Sequence, residues 1–204
     1  MNKIKTWKLF LEKYNTNDVF NMLYDEDFMK EYIETDHDVN LINDEQQSLL
    51  SASLRDDEMK TAEMLINAGA DIDHKDGFAN VLFYAVDYMN LNIVKLLIEK
   101  GVIVTNEPTN YGDETELENA VMRADNKNDW EIVNLLLKHG GEFMMNTQDT
   151  LKHFDNKFEE ISYSNTKNEF KNRVKSNIKE FNKIFGEDEI KKYFISKEVK
   201  KFKI

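Results

Sequence analysis

Apolar residues recur along this chain at helical spacing, in blocks that end alike. In Ile93-Val94-Lys95-Leu96-Leu97-Ile98 they cover a helical face wider than a lone surface helix buries. Gly101 follows at the point where a helix stops by passing into the left-handed region, which a side chain opposes. The same run and stop appear from Ala62 to Gly69 and from Ile132 to Gly140. A weaker version, Phe28-Met29-Lys30-Glu31-Tyr32-Ile33, precedes them, with Asp36 where the others carry glycine. The spacings from Asp36 to Gly69, Gly101 and Gly140 are 33, 32 and 39, so the unit is about 33 residues long with an insertion in its last copy.

Sixteen to twenty residues before each of those glycines lies a shorter apolar segment with a small residue near its middle: Ala52, Ala85 and Ala120. Small residues let two antiparallel helices approach closely, so each unit reads as a helix pair followed by a projecting loop. One pair alone cannot bury both of its faces, and neighbouring units must therefore stack. The expected fold class is all-α, a helix-pair solenoid.

These features resemble the ankyrin repeat. Gly69-Ala70-Asp71-Ile72-Asp73 is close to that family's Gly-Ala-Asp-Val-Asn. Thr115-Glu116-Leu117-Glu118-Asn119-Ala120 agrees with its Thr-Pro-Leu-His-x-Ala opening at Thr, Leu and Ala. Asn80-Val81-Leu82-Phe83-Tyr84-Ala85 keeps Leu and Ala, as does Gln47-Ser48-Leu49-Leu50-Ser51-Ala52. Ala85 to Gly101 has the family's spacing of sixteen; Ala52 to Gly69 is one longer and Ala120 to Gly140 four longer. The family's Pro and His are absent from every copy, so the loop-to-helix turns must be held differently. The resemblance covers about residues 18–144, divided at 18–42, 43–75, 76–108 and 109–144.

The ends of a solenoid need a polar outer face. Trp7, Phe10, Leu11 and Tyr14 fit a capping helix within residues 1–17. After Gly141, Phe154, Phe158 and Ile161 recur at helical spacing. Phe170, Val174, Ile178, Phe181, Ile184 and Phe185 trace one longer amphipathic helix, and Ile190, Tyr193, Phe194, Val199 and Phe202 continue more weakly. Asp149 or Thr147 would cap the first of these helices. Residues 145–204 thus predict a helical C-terminal cap or arm, and the burial that phenylalanines require favours the cap.

Charge and chemistry narrow the function. Cysteine is absent, which removes disulfides, thiolate metal sites and cysteine nucleophiles. No apolar run is long enough to span a membrane, and Lys3, Lys5, Lys8, Glu12 and Lys13 interrupt any secretory pattern at the start, so a soluble cytoplasmic protein is expected. The net charge is −12, from 27 basic and 39 acidic side chains. Residues 1–144 carry −16 and residues 145–204 carry +4. So acidic a body repels nucleic acid and anionic lipid, and it draws a cationic protein. There is no phosphate-cradling glycine loop and no zinc-binding histidine pair. His37 and His139 fall beside helix ends and His74 in a loop; His153 is the fourth histidine. Asp71, Asp73 and Asp76 fail as a calcium loop, since the sixth and twelfth positions are Asp76 and Leu82. No enzyme, metal or cofactor is expected.

What remains is surface. The resemblance implies partner docking on the loop tips and the exposed side of the first helices. Those positions carry Asp44, Glu45, Arg55, Asp56, Asp76, Asp87, Tyr88, Tyr111, Glu114, Met122 and Arg123, a mixture of carboxylates with aromatic and arginine anchors. The expected function is a non-catalytic module that binds a basic protein partner, with an immunity protein neutralising a cationic toxin as one form. The alternative is a scaffold that self-assembles through its C-terminal helices.

Overall fold

The structure, a computed structural model, describes residues 14–35, 37–110, 113–161 and 169–201, with side chains for all of these except 159–161, 169 and 196–201. Twelve helices are described: α1 (Thr16–Phe20), α2 (Glu26–Glu34), α3 (Leu49–Arg55), α4 (Met59–Asn67), α5 (Val81–Asp87), α6 (Leu91–Lys100), α7 (Glu116–Arg123), α8 (Lys127–Lys138), α9 (Thr147–Ile161), α10 (Glu169–Ser176), α11 (Ile178–Phe185) and α12 (Glu187–Lys201). The capping helix expected around Trp7, Phe10 and Leu11 lies outside the described residues.

Helices α3, α5 and α7 pack side by side in one row, and α2, α4, α6 and α8 in a second. Each member of the first row also packs on the helix that follows it. The two rows differ in how they are buried. Leu49–Leu54, Val81–Val86 and Glu116–Met122 are buried throughout, because these short helices are covered on both sides and from behind. The second row buries one stripe per helix: Ala62, Leu65 and Ile66, then Ile93, Val94 and Leu97, then Ile132, Val133 and Leu136. Gly69, Gly101 and Gly140 end those helices at φ of 89, 90 and 96°, as the sequence pattern required.

Local geometry corrects the register of the first full repeat. Its first helix is capped by Ser48, whose side chain accepts the Ser51 N–H as Asn80 accepts Phe83 N–H and Thr115 accepts Glu118 N–H. Five residues after each cap stand Ser53, Ala85 and Ala120, all fully buried. Ser53, and not Ala52, therefore occupies the small-residue position; its hydroxyl is satisfied by the Leu50 carbonyl at 2.9 Å. Counted from Ser53, the distance to Gly69 is also sixteen, and the irregularity disappears. The four extra residues of the last repeat are spread out, with two of them lengthening α8 to 12 residues against 10 in α6.

The C-terminal helices are seated on the last repeat. The Trp130 indole N–H donates to Asn177 at 3.1 Å and its ring meets Phe181 edge-on at 5.4 Å. Arg173 donates to the Ala124 carbonyl at 2.9 Å, and Phe143 packs on Phe185 at 4.9 Å. Phe170 lies within 6 Å of the rings of Phe154, Phe181 and Tyr193, and makes the centre of this small core. The single helix expected from Phe170 to Phe185 is two helices, broken at Asn177. The break places the Asn177 amide against Trp130. Neither Thr147 nor Asp149 caps α9: Asn146 does, accepting the Asp149 N–H at 3.2 Å.

Candidate protein-docking face

The loops between helix pairs form one face of the stack, ordered by two sets of polar residues repeated at a strict interval. Asn43, Asp76 and Thr109 stand 33 residues apart and open the three tips. Asn43 accepts the N–H groups of Glu45 and Gln47, and Asp76 those of Phe78 and Ala79. The Thr109 carbonyl accepts Asp113 N–H at 3.1 Å. Asn40, Asp73 and Asn106, also 33 apart, stitch each loop to the next. They accept the N–H groups of Asp71, Ile103 and Glu142 at 2.7, 2.9 and 2.7 Å. Asp71, Asp73 and Asp76 are thus committed to main-chain hydrogen bonds. His74 adds a further tie, with Nε2 2.8 Å from the Gln46 carbonyl.

A second ladder ties the C-terminal ends of the first-row helices together. Tyr88 donates its hydroxyl to the Arg55 carbonyl at 2.7 Å, and Arg123 forms an ion pair with Asp87. Asn119 donates to Asp87 at 3.1 Å and accepts from Arg123 at 3.0 Å. Arg55 itself lies 3.0 Å from Asp56 and 3.7 Å from Glu45.

The positions singled out from sequence therefore divide. Asp44, Glu45, Arg55, Asp56 and Arg123 are exposed, and Tyr88 keeps 43% of its surface open. Asp87 is half-buried under Arg123. Asp76 holds its tip together and accepts the Tyr84 hydroxyl at 2.9 Å, so it is no open carboxylate. Met122 is 8% exposed, withdrawn by its place in the inner row, and Glu114 is buried where the third tip meets α9. Tyr111 lies outside the described residues.

Glu114, Glu116 and Glu118 do structural work that the sequence pattern did not reveal. Glu114 lies 3.2 Å from Lys157 and 3.7 Å from His153, joining the third tip to α9. Glu118 stands where the family pattern has histidine and accepts Met144 N–H at 3.2 Å. Glu116 is fully buried. Burial pushes its carboxyl above the usual carboxylate range, against the pull of hydrogen bonds from Asn80 and Thr105. Sequence reasoning also missed Phe78 and Tyr24, exposed by 50% and 65%. The turn opening at Asp76 would have flagged Phe78, two residues on and unable to reach the core.

Among the described residues no group of three or more His, Asp or Glu side chains is placed to hold a metal ion, and no helix is long and apolar enough to cross a membrane.

The family model for ankyrin repeats matches residues 19–108 in three copies. Residues 19–108 are ankyrin repeats. Ankyrin repeats are protein–protein interaction modules and are generally not catalytic. The α7–α8 pair, beyond the matched residues, continues the same two rows. Among solved structures, the chain is similar to the crystal structure of an ankyrin repeat domain from Acinetobacter baumannii, at 30% identity and a TM-score of 0.48. That match spans 55% of this chain and 58% of the other. No curated protein matches the chain.

Proposed function

We propose that this ankyrin stack is a non-catalytic docking module for a basic protein, engaged through its acidic tips and groove. The observation that carries the reading is how charge is distributed. Residues 14–58 hold thirteen carboxylates against Lys30 and Arg55. Arg55 is occupied by Asp56 and Glu45, and Arg123 by Asp87. Among the described residues Asp44, Asp57 and Asp113 form no ion pair, so their charge is available to a partner. Such a surface accelerates encounter with a cationic protein and disfavours anionic ones. An immunity protein holding a cationic toxin is one member of that class. Self-assembly through the C-terminal helices is the weaker reading, because Phe154, Phe170, Phe181 and Phe185 are turned inward onto one another and the last repeat.

The test is capture from the native cell followed by mass spectrometry, using the wild-type chain and Asp44→Lys/Glu45→Lys. A basic protein should be recovered by the wild type and weakened about tenfold by the double reversal at low salt. An acidic partner, or capture unchanged by the reversal, would count against the reading. Asp76, Asp87 and Glu114 are unsuitable for this purpose because each holds the fold together.

A further inference from the structure

The loops that follow α4, α6 and α8 put one side chain of each repeat in the same place. Asp71, Ile103 and Glu142 each stand two residues after the glycine that ends a second-row helix. Each gives its N–H to a stitching residue one repeat back, Asn40, Asp73 and Asn106 in turn. Equal backbone ties make the three a row across the stack. The outer two are exposed acids, whereas the middle one is an isoleucine, 64% exposed and outside the hydrophobic core.

Beside Ile103 lies a cavity of about 150 Å³, between the loop after α4 and the loop after α6. Ile72, Val102 and Ile103 supply its apolar wall. Its polar lining is already engaged. Asn80 donates to Glu116 and Thr105, and Thr105 donates to Glu116. Asp73 accepts the Ile103 N–H, and Lys75 is held by Glu107. A group entering the cavity therefore meets mostly aliphatic surface, which suits an apolar side chain. Apolar cavities of about this size take up a group as large as a benzene ring.

The flanks of the cavity are anionic. Asp71 and Glu142 lie one repeat to either side, and neither forms an ion pair among the described residues. Lys100 and Lys138, in the last turns of α6 and α8, do not line the cavity. Packed helices of neighbouring repeats lie about 9 Å apart. A peptide in the polyproline II conformation returns to one face every three residues, which is also about 9 Å.

We propose that this row receives a basic segment of a protein partner, with an aliphatic side chain in the cavity beside Ile103 and basic residues three positions to either side on Asp71 and Glu142. The inference rests on the reading of a basic partner. It gives that partner a second face, where the second-row helices run out into the loops.

The probe is the synthetic peptide Arg-Pro-Pro-Leu-Pro-Pro-Arg, titrated at low salt into the full chain while main-chain amides are followed by NMR. Companion peptides replace the leucine by serine, or both arginines by glutamate. Three variants of the chain are compared: Ile103→Asp, Asp71→Asn/Glu142→Gln and, at the tips, Asp44→Asn/Glu45→Gln. Ile103→Asp copies the neighbouring repeats and adds a negative charge, so binding by charge alone would tighten; circular dichroism verifies that each variant is folded. Shifts are expected at Ile72, Val102, Ile103 and Thr105. Serine in the peptide should weaken binding about tenfold, and Ile103→Asp about fivefold. Asp71→Asn/Glu142→Gln should weaken it about fivefold, and the tip variant less than about twofold. Equal affinity for the leucine and serine peptides, tighter binding by Ile103→Asp, or a loss confined to the tip variant overturns the site and leaves the basic-partner reading standing. Equal affinity for the glutamate peptide overturns the site through its charges, and that reading with it. No binding of the leucine peptide to the wild type overturns the site alone.

Discussion

The Tyr88 hydroxyl donates to the main-chain carbonyl of Arg55, 2.7 Å away and one repeat back. The bond gives a half-exposed tyrosine a fixed orientation. Side chains at the ends of the first-row helices therefore hold neighbouring repeats together. Tyr88→Phe should keep the ring and lose the bond, at a cost of about 1 kcal/mol or less, read as a lower urea midpoint with an unchanged slope.

The stitch between loops should respond to chemistry more than to size. Asp73 accepts Ile103 N–H at 2.9 Å, so Asp73→Ala should cost about 1 kcal/mol in urea unfolding. Asp73→Asn keeps an acceptor at that place, as Asn40 and Asn106 show at equivalent ones, and should cost less than half as much.

Two glycines with open space around them should differ sharply. A methyl group meets nothing within 4 Å at either Gly101 or Gly77. Gly101 sits at φ 90°, where an L residue is strained, so Gly101→Ala should lower stability by about 1–2 kcal/mol. Gly77 is not in the left-handed region, and Gly77→Ala should be close to neutral by the same thermal or urea measurement.

Glu116 supplies a pH dependence with a definite sign. Burial raises its carboxyl above the unfolded value of about 4.3. The native state therefore holds this proton more tightly than the unfolded chain, and stability present at low pH is lost as pH rises through the native value. Glu116→Gln keeps an acceptor for Asn80 and Thr105 and removes the ionisation. The variant should lose less stability than the wild type as pH rises above the usual carboxylate range, compared by urea unfolding at each pH. An identical pH profile would refute a buried, proton-binding Glu116.

The seat of the C-terminal helices should depend on Trp130. Its ring is nearly buried, and Trp130→Ala should cost about 3–5 kcal/mol. Asn177→Ala removes only the indole's acceptor and should cost about 1–2 kcal/mol, with a shift in tryptophan emission.

Periodicity alone carried the repeat length, the helix stops at Gly69, Gly101 and Gly140, and the two-helix unit, since each is local: a face that needs burial and a turn that needs a positive φ. The all-α class followed from the same pattern. The phenylalanines from Phe154 to Phe185 likewise announced helices that had to bury themselves. Tertiary contact alone decided which charges remain for a partner. Asp76, Asp87 and Glu114 look like open carboxylates along the chain, yet their counterparts Tyr84, Arg123 and Lys157 come from residues 8, 36 and 43 positions away. A charge is available or consumed according to what the fold brings within a few ångströms of it, and no local pattern records that distance.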